Sequence, residues 1–272
     1  MTLHAKIVTS LFCLALCGTL CAVQELIISG SDNSNQGGLN NDGVRGYAVN
    51  VPSGNDEFTK LLLHFEGTNG ATDFIDSSPS SNQNLTVGGG AQLNTTSPKF
   101  GTASGYFGGV GYLEYPETND FDFSTTNFTV DCWFKLNDLE SAQQGIIGTV
   151  GQSWSIMYNY QAGCIDLHAS ADGSSWFTAG DSSPGLKTNY NSNQWYHLAF
   201  TWDQQFYRVF VDGILDTVVT NSSGLYPSNF EVGRFLDSTS WIINGYVDEV
   251  RVVNGISCWT NDFTPPTGPF EQ

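Results

Sequence analysis

The stretch "YRVFVDGILDTVV", residues 207–219, joins two runs of apolar and β-branched residues through Asp212-Gly213. A type I′ turn needs positive φ at both central positions, and an Asp-Gly pair adopts that conformation at little steric cost. The stretch therefore predicts a β-hairpin. Similar short runs follow Phe58, separated by Gly, Asn, Asp and Ser clusters, and none has helical periodicity over ten or more residues. Many strands without crossover helices predict an all-β fold, an antiparallel sandwich of two sheets.

Two further runs predict which side chains share a face of a strand, and the first of them predicts residues that point inward. Strict alternation in "KLLLHFEG", residues 60–67, places Leu61, Leu63 and Phe65 on one face. The run "FTVDCWFKL", residues 128–136, alternates in the same way. It places Phe128, Val130, Cys132 and Phe134 on one face and Asp131, Trp133 and Lys135 on the other.

The N-terminal part of the chain has a different composition. Lys6 is followed by an apolar stretch to Leu20 and small residues near Ala22, which is the order of a secretory signal peptide over residues 1–22. Residues 23–57 are rich in Gly, Asn, Ser and Asp and predict an arm or linker. The domain itself is predicted over residues 58–272. We therefore expect a secreted protein, extracellular or on the cell surface, without membrane insertion.

The charge balance narrows the classes of partner. The chain has 27 acidic and 9 basic residues, a net charge of −18, and removal of residues 1–22 would leave 8 − 27 = −19. This excess repels phosphate backbones and anionic membranes, so nucleic acid is not an expected partner. Only 13% of the residues are charged. A surface of Ser, Thr, Asn and Gly suits hydrogen bonding to neutral polar ligands.

Three cysteines lie beyond the predicted signal peptide: Cys132, Cys164 and Cys258. An oxidising compartment permits one disulfide and one free thiol, whereas an odd count argues against a disulfide framework. One bridge and three unpaired thiols both remain open.

The order of several motifs resembles the laminin-G-like (LamG) group of the concanavalin A-like lectin/glucanase superfamily. They are "KLLLHFEGTNGATDFIDSS", "SPKFGTASGYF", "FTVDCWFKL", "QWYHLAFTWD" with "VFVDG", and "INGYVDEVRVVNGISCWTNDFTPPTGPF". The resemblance runs from about Lys60 to Phe270 and implies a concanavalin A-like jelly roll of two sheets. Members of this group are mostly non-catalytic modules that contact glycans, calcium or proteins.

Asp248 and Glu249 are the most conspicuous candidates for acid catalysis. Glycoside hydrolysis needs two carboxylates on either side of the scissile bond. The related laminarinase-type enzymes carry Glu-x-Asp-x-x-Glu on one strand, and no such triple occurs here. On a regular strand, adjacent residues point to opposite faces. We therefore predict no catalytic residues and expect one of the two acids to pair with Arg251.

The resemblance also implies a possible calcium ion at the rim of a sheet. Where relatives carry two aspartates, this chain reads "FGGVGYL", residues 107–113, so two oxygen ligands are missing. The acids that remain in matching segments are Glu66, Asp76 and Asp248. Calcium takes six to eight oxygen ligands. Either these acids bind calcium, or they cap turns and accept backbone hydrogen bonds.

Aromatic side chains are the candidates for sugar contact, since their faces stack on sugar rings. Trp133, Trp195 and Trp202 lie in strand motifs and are predicted to be core residues, and Trp259 is predicted to cover the sandwich edge. The remaining aromatic candidates lie in or near turns rich in Gly, Ser and Asp. The predicted ligand-binding residues are Trp154, Tyr158, Tyr160, Trp176 and Trp241.

The sequence therefore predicts a secreted, non-catalytic binding module. Carbohydrate recognition through loop-borne aromatic and polar groups is the first hypothesis, with a glycan or a cell-surface glycoprotein as the partner. A structural or adhesive protein that contacts another protein is the second, and a glycoside hydrolase is the third.

Overall fold

The computed structural model describes residues 56–82, 84–140, 142–178 and 185–271. The predicted signal peptide and the predicted arm up to residue 55 lie outside the described residues. The described part forms strands and one 3-10 turn, Asn119–Phe121, and no helix in it is long and apolar enough to span a bilayer. The strands are β1 (Thr59–Leu63), β2 (Thr86–Gly88), β3 (Gln92–Asn94), β4 (Ser104–Tyr106), β5 (Tyr112–Tyr115), β6 (Phe128–Leu136), β7 (Gln144–Thr149), β8 (Trp154–Asn159), β9 (Cys164–Ser170), β10 (Trp176–Thr178), β11 (Trp195–Trp202), β12 (Phe206–Val211), β13 (Ile214–Thr220), β14 (Phe230–Val232) and β15 (Gly245–Asn254).

The strands form two antiparallel sheets that pack face to face. The eight-stranded sheet has the order β13-β12-β11-β6-β15-β4-β3, and β1 also pairs with β15. The seven-stranded sheet has the order β10-β9-β8-β7-β14-β5-β2. The predicted two-sheet jelly-roll sandwich is therefore confirmed. We call the face of each sheet that is turned away from the other sheet its outer face.

The local predictions from alternation and turn chemistry are confirmed. Asp212 and Gly213 have φ of 52° and 76°, as a type I′ turn between β12 and β13 requires. The three residues predicted to point inward from β1 and the segment after it are buried in one apolar core, and so are the four residues predicted to share one face of β6. That core is rich in aromatic rings, such as Trp202, which stacks on Tyr207 at 5.2 Å between ring centroids. The core fixes the register of both sheets, because a one-residue slip would turn each strand over.

The C-terminal residues 255–271, which we call the closing segment, lie over the outer face of the eight-stranded sheet. Trp259 and Phe263 stack with their ring centroids 4.0 Å apart, and both rings meet His197 of β11 edge-on. The Phe270 ring lies 4.1 Å from the Arg251 guanidinium carbon. Trp259 therefore covers a sheet face, and the prediction that it covers the sandwich edge is wrong.

Two tryptophans predicted as core residues also lie on this outer face. Trp133 is buried beneath Lys99 and Phe100, with the Lys99 Nζ 3.6 Å from its ring centroid. Trp195, at the start of β11, remains partly exposed. Trp202 alone of the three packs between the sheets.

The predicted geometry of Asp248 and Glu249 is wrong. A β-bulge between Asp248 and Arg251 gives Glu249 a φ of 50°, so the two carboxylates do not alternate across the strand. Asp248 accepts hydrogen bonds from the Lys99 and Glu249 amides at 2.8 and 2.9 Å. Glu249 binds His64 Nδ1 at 3.0 Å and the Phe270 amide at 3.0 Å. Both acids are buried; Asp248 holds the segment at Lys99 in place, and Glu249 holds the closing segment at Phe270.

Arg251 binds neither of these acids, which corrects the predicted ion pair. Its Nε donates to Asp131 Oδ1 at 2.9 Å, and its Nη2 donates to Asp131 Oδ2 at 3.2 Å. His197 Nε2 lies 3.3 Å from the same Oδ2. Burial opposes ionisation of Asp131, but Arg251 and His197 together hold its pKa below the usual range. This buried cluster fixes β6, β11 and β15 to one another.

The three cysteines of the domain, Cys132, Cys164 and Cys258, are buried and unpaired. Burial raises the pKa of Cys164 and of Cys258 to about 11. They are therefore thiols within the packing, which is the second of the two arrangements that the sequence left open.

Candidate functional site

The outer face of the seven-stranded sheet carries a contiguous strip of aromatic side chains. Trp176 of β10 meets His168 of β9 edge-on at 5.5 Å between ring centroids, and His168 meets Phe235 at 4.9 Å. Phe235 in turn lies 5.1 Å from Trp241. We call these four residues the aromatic strip. Two of the predicted ligand-binding residues, Trp176 and Trp241, thus belong to one surface although 65 positions separate them.

The exposure of the strip falls into two levels. Phe235 is buried and forms its base, whereas Trp176 and His168 are partly exposed and Trp241 is 40% exposed. Burial lowers the pKa of His168 to about 4, so its ring is neutral at pH 7. A neutral imidazole between the Trp176 indole and the Phe235 ring gives the strip a surface that carries no charge. Such a surface suits an uncharged ligand with an apolar face.

The loop after β14, residues 233–243, holds Phe235 and Trp241 in place. Its approach to β7 requires a glycine, because a Cβ at Gly145 would lie 2.3 Å from the Phe235 nitrogen. The Trp241 carbonyl accepts hydrogen bonds from the Phe235 amide at 3.1 Å and the Gly145 amide at 3.3 Å. The Ser238 hydroxyl accepts one from the Trp241 amide at 3.1 Å. The indole of Trp241 is therefore carried on a fixed backbone.

Arg234 anchors the same loop through three carboxylates. Its Nε donates to Glu231 at 2.8 Å, its Nη2 donates to Glu114 at 2.9 Å, and its Nη1 pairs with Asp237 at 2.7 Å. Its guanidinium also lies 3.7 Å from the Tyr112 ring centroid. Because Arg234 directly precedes Phe235, these contacts fix the base of the aromatic strip to β5 and β14.

Glu114 and Glu231 resemble the two catalytic carboxylates of a glycosidase in one respect: they lie directly opposite each other on β5 and β14. Side chains in that relation have Cβ atoms about 4.5–5.5 Å apart. However, Arg234 binds both carboxylates, and Glu231 is fully buried. Burial raises the pKa of Glu231 although Arg234 opposes that shift. The pair supports a loop and is not open to a substrate.

Polar groups and one more aromatic ring flank the strip near Trp176. In the turn after β9, Asp172 accepts hydrogen bonds from the Ser174 and Ser175 amides at 2.8 and 2.7 Å, and these bonds lower its pKa to about 2. A Cβ at Gly173 would lie 3.0 Å from the Tyr226 ring, which is 48% exposed. Asp172 and Tyr226 thus place a carboxylate and an aromatic face beside this turn.

The other predicted ligand-binding residues lie elsewhere. Trp154 begins β8 and is 1% exposed, packed against Phe200 at 5.1 Å, so its prediction as a loop-borne contact is wrong. Tyr158 is also buried, with its ring 5.5 Å from that of Tyr190. Tyr160 is 37% exposed, but no ring contact joins it to the strip among the described residues.

Sequence reasoning missed His168, Phe235 and Tyr226. His168 occupies an ordinary alternating position in β9, and Phe235 follows Arg234 in a segment with no distinctive motif. Tyr226 stands before Pro227 in a polar loop, which gave only a weak signal. Their proximity to the two tryptophans depends on strand order, and no local pattern specifies it.

The three acids predicted to bind calcium each have a different structural task. Glu66 accepts hydrogen bonds from the Thr102 amide at 2.9 and 3.0 Å, next to a glycine, Gly101, whose Cβ would strike the carboxylate. Asp76 accepts from the Leu62, Ser78 and Asn82 amides at 2.6–2.9 Å. Asp248 holds the segment at Lys99.

The described residues contain no group of three His, Cys, Asp or Glu side chains that would hold a metal ion. Glu66 and Asp248 accept backbone hydrogen bonds from the segment at residues 99–102, and Asp76 accepts them from Leu62, Ser78 and Asn82, as the turn-capping alternative describes. Calcium binding by these acids stays a prediction.

A cleft of about 330 Å³ lies beside β13, apart from the aromatic strip. Leu186 and Ile214 form an exposed apolar lip, and Asp216 lies in its lining. The Asp216 carboxylate accepts a hydrogen bond from the Lys187 amide at 2.7 Å, and burial raises its pKa. The described residues of its lining include no aromatic ring, so they offer none of the stacking groups that the strip provides.

A family model of the concanavalin A-like lectin/glucanases superfamily matches residues 107–256, more than half of the chain. The chain belongs to this superfamily. The match confirms the resemblance that the motifs indicated. No curated protein matches the sequence.

Solved structures with this superfamily fold include domains of larger proteins. The binding domain of botulinum neurotoxin serotype C1 is similar with a TM-score of 0.53 and 16% identity, over 72% of this chain and 48% of that one. The binding domain of botulinum neurotoxin DC in complex with rat synaptotagmin II gives 0.51 and 14%, over 72% and 48%. This chain spans about half the length of these toxin domains, and the likeness shows the fold alone.

A second kind of similar structure is covered almost completely. It is domain 4 of AbnA, a GH43 extracellular arabinanase from Geobacillus stearothermophilus, in complex with arabinotriose. The TM-score is 0.53 and the identity is 19%, over 73% of this chain and 93% of that chain. The same sandwich fold thus occurs in that protein as a separate domain that corresponds to about three quarters of this chain.

Proposed function

We propose that this protein is a secreted, non-catalytic carbohydrate-binding module that binds neutral sugar rings on the aromatic strip. The observation that carries the proposal is the joining of Trp176 and Trp241 through His168 and Phe235 into one partly exposed, uncharged aromatic surface. The apolar face of a sugar ring stacks on an indole, while hydroxyl groups bond to nearby polar side chains.

The arrangement of the loop supports this proposal. Arg234 and the backbone bonds of Trp241 fix the strip before a ligand arrives, and a fixed binding surface loses little entropy on binding. The similarity to an arabinanase domain in complex with arabinotriose, and to toxin binding domains, agrees with a binding role. The role of Arg234 between Glu114 and Glu231 argues against glycoside hydrolysis.

The test is an array of neutral glycans probed with the purified protein, followed by calorimetric titration of the best ligand. Trp176→Ala and Trp241→Ala should each weaken binding at least tenfold, because a large aromatic anchor is removed. Tyr160→Ala is the matched control, since it removes an exposed ring that lies outside the strip. Binding should persist with a calcium chelator present.

Three results would contradict the proposal. They are the absence of any neutral-glycan binding, affinities that both tryptophan variants leave unchanged, and release of reducing sugar from a polysaccharide. Capture of a protein ligand together with a blank array would favour the adhesive alternative.

A further inference from the structure

A second row of aromatic side chains crosses the outer face of the eight-stranded sheet. The pairing register places five residues directly opposite one another on adjacent strands. In order across β11, β6, β15, β4 and β3, they are Trp195, Lys135, Tyr246, Tyr106 and Gln92. We call them the Lys135 row. Strands lie about 4.8 Å apart, so the row from Trp195 to Tyr106 extends roughly 14 Å.

Lys135 is the unusual member of this row. It is only 6% exposed, and its ammonium lies 4.2 Å from the Tyr246 ring centroid and 5.3 Å from that of Trp195. Its one hydrogen-bond partner among the described residues is the Ser97 hydroxyl. Burial lowers its pKa, and no carboxylate of the described residues acts against that shift. Within the part of the chain that the structure describes, Lys135 is therefore a buried cation without an acidic partner.

The rest of the molecule makes this situation exceptional. The chain has 27 acidic residues and 9 basic ones. The described arginines, Arg208, Arg234 and Arg251, each pair with a carboxylate at 2.7–2.9 Å. Buried charges in proteins are normally paired, because removal of an ion from water is costly. An anion supplied by a ligand would complete the environment of Lys135.

The neighbouring rings specify what kind of anion would fit. Tyr246 lies 5.0 Å from Tyr106 and 6.4 Å from Trp195 between ring centroids, and all three rings are partly exposed. Gln92 ends the row with an amide that both donates and accepts hydrogen bonds. Aromatic faces beside one cation and one amide match a cyclic, hydroxylated carboxylate better than a flexible acidic peptide.

We propose that the Lys135 row binds an acidic saccharide, with the sugar carboxylate paired to Lys135 and a sugar ring stacked on Tyr246 and Trp195. This site is separate from the aromatic strip, which lies on the other sheet. Lys99 is not part of it, because its ammonium lies over Trp133 within the field of Asp212 and Asp248.

The ligand in the test is short, because the net charge of −18 repels a polyanion over a long range. The full chain is titrated with trigalacturonate and with a neutral galactotriose, and binding is followed by calorimetry and by the NMR signal of the Trp195 indole. Trigalacturonate should bind saturably and shift that signal. Galactotriose should bind at least tenfold more weakly to the row.

Lys135→Met removes the charge and keeps an unbranched apolar side chain one atom shorter, so it should weaken trigalacturonate binding at least tenfold. Tyr246→Ala should weaken it as well. Lys187→Met, which removes a partly exposed lysine outside the row, is the control and should change nothing. If Lys135→Met does not fold, the Trp195 signal of the unmodified protein still decides whether the ligand reaches the row.

The outcomes separate this inference from the proposed function. Trp176→Ala should leave trigalacturonate binding intact, and Trp195→Ala should leave neutral-glycan binding at the strip intact. The inference fails if trigalacturonate does not bind, if Lys135→Met binds it as well as the unmodified protein does, or if a triglutamate peptide binds equally tightly.

Discussion

The outer faces of the two sheets differ in what covers them. On the eight-stranded sheet, Asp131 and Arg251 are buried beneath the closing segment. On the seven-stranded sheet, Trp176 and Trp241 reach the solvent. Both faces contain an arginine bound to carboxylates. Arg251 lies under a covering segment and helps to seal its face, while Arg234 lies at the base of a loop and helps to present a ring. The difference shows that similar ion pairs help to cover a sheet face in one place and hold an exposed ring in position in another.

The strongest test of the sealed face is removal of its central acid. Asp131→Ala leaves the Arg251 guanidinium buried without its carboxylate, so we expect a loss of about 3–5 kcal/mol in the free energy of unfolding. Chemical denaturation measures it. Asp203→Ala breaks the more exposed pair with Arg208 and should cost only about 1 kcal/mol. Equal losses in the two variants would show that burial does not distinguish these pairs.

A smaller effect is expected from the closing segment itself. Phe263→Ala removes a ring that stacks on Trp259 and meets His197, and should lower the free energy of unfolding by about 2 kcal/mol. Binding of neutral glycans on the opposite sheet should stay unchanged. Denaturation and titration of the same preparation check both statements. A loss of glycan binding would mean that the two faces are coupled.

On the open face, binding and stability should separate. Trp241→Ala is expected to change the free energy of unfolding by less than about 1 kcal/mol, because the indole is 40% exposed. Trp154→Ala supplies the contrast, since loss of a buried indole typically costs about 3–5 kcal/mol. Thermal denaturation compares the two. A large destabilisation by Trp241→Ala would assign that ring a structural role.

The strand faces were predictable from the sequence because they depend on alternation within one segment. The shared face of Phe128 and Val130 and the turn at Asp212 follow from such local rules. The bulge at Glu249 did not, since no residue in "YVDEVRV" requires it. A regular strand was therefore assumed, and Arg251 was expected to bind Asp248 or Glu249. Its partner Asp131 instead lies 120 positions away.

The candidate site was only partly predictable, because it too depends on contacts between segments that are far apart in the sequence. Proximity to glycine and serine singled out Trp176 and Trp241, which are partly exposed, but the same signal misplaced Trp154, which is buried in the core at the start of β8. The contact between β9 and the loop after β14 created the aromatic strip. That contact depends on strand order across a whole sheet, which a single segment does not encode.

The subtlest comparison concerns the pH dependence of stability. The folded-state pKa of His168 is about 4, below the ordinary value of 6.5, so the unfolded chain binds more protons between these values. His168 therefore contributes stability above pH 6.5 that is lost as the pH falls towards 4. His168→Phe keeps a ring and should remove that loss.

Denaturation midpoints of the two proteins across pH 4–7 measure the difference. Asp248, with a pKa raised to about 8 by burial, gives an opposite slope between pH 4 and 8, but it is present in both proteins and cancels. Parallel curves for the variant and the unmodified protein would exclude His168 as the source.

The central position of β15 also constrains how the domain is made. This strand pairs with β6, β4 and β1. The residues of these three strands lie more than 100 positions before the β15 residues with which they pair. On the ribosome, the earlier strands therefore emerge without the element that joins them, and their apolar edges remain open until residue 254 has left the exit tunnel. Such long-range pairing favours slow folding, so nascent chains of this protein should need chaperone protection until β15 has left the exit tunnel.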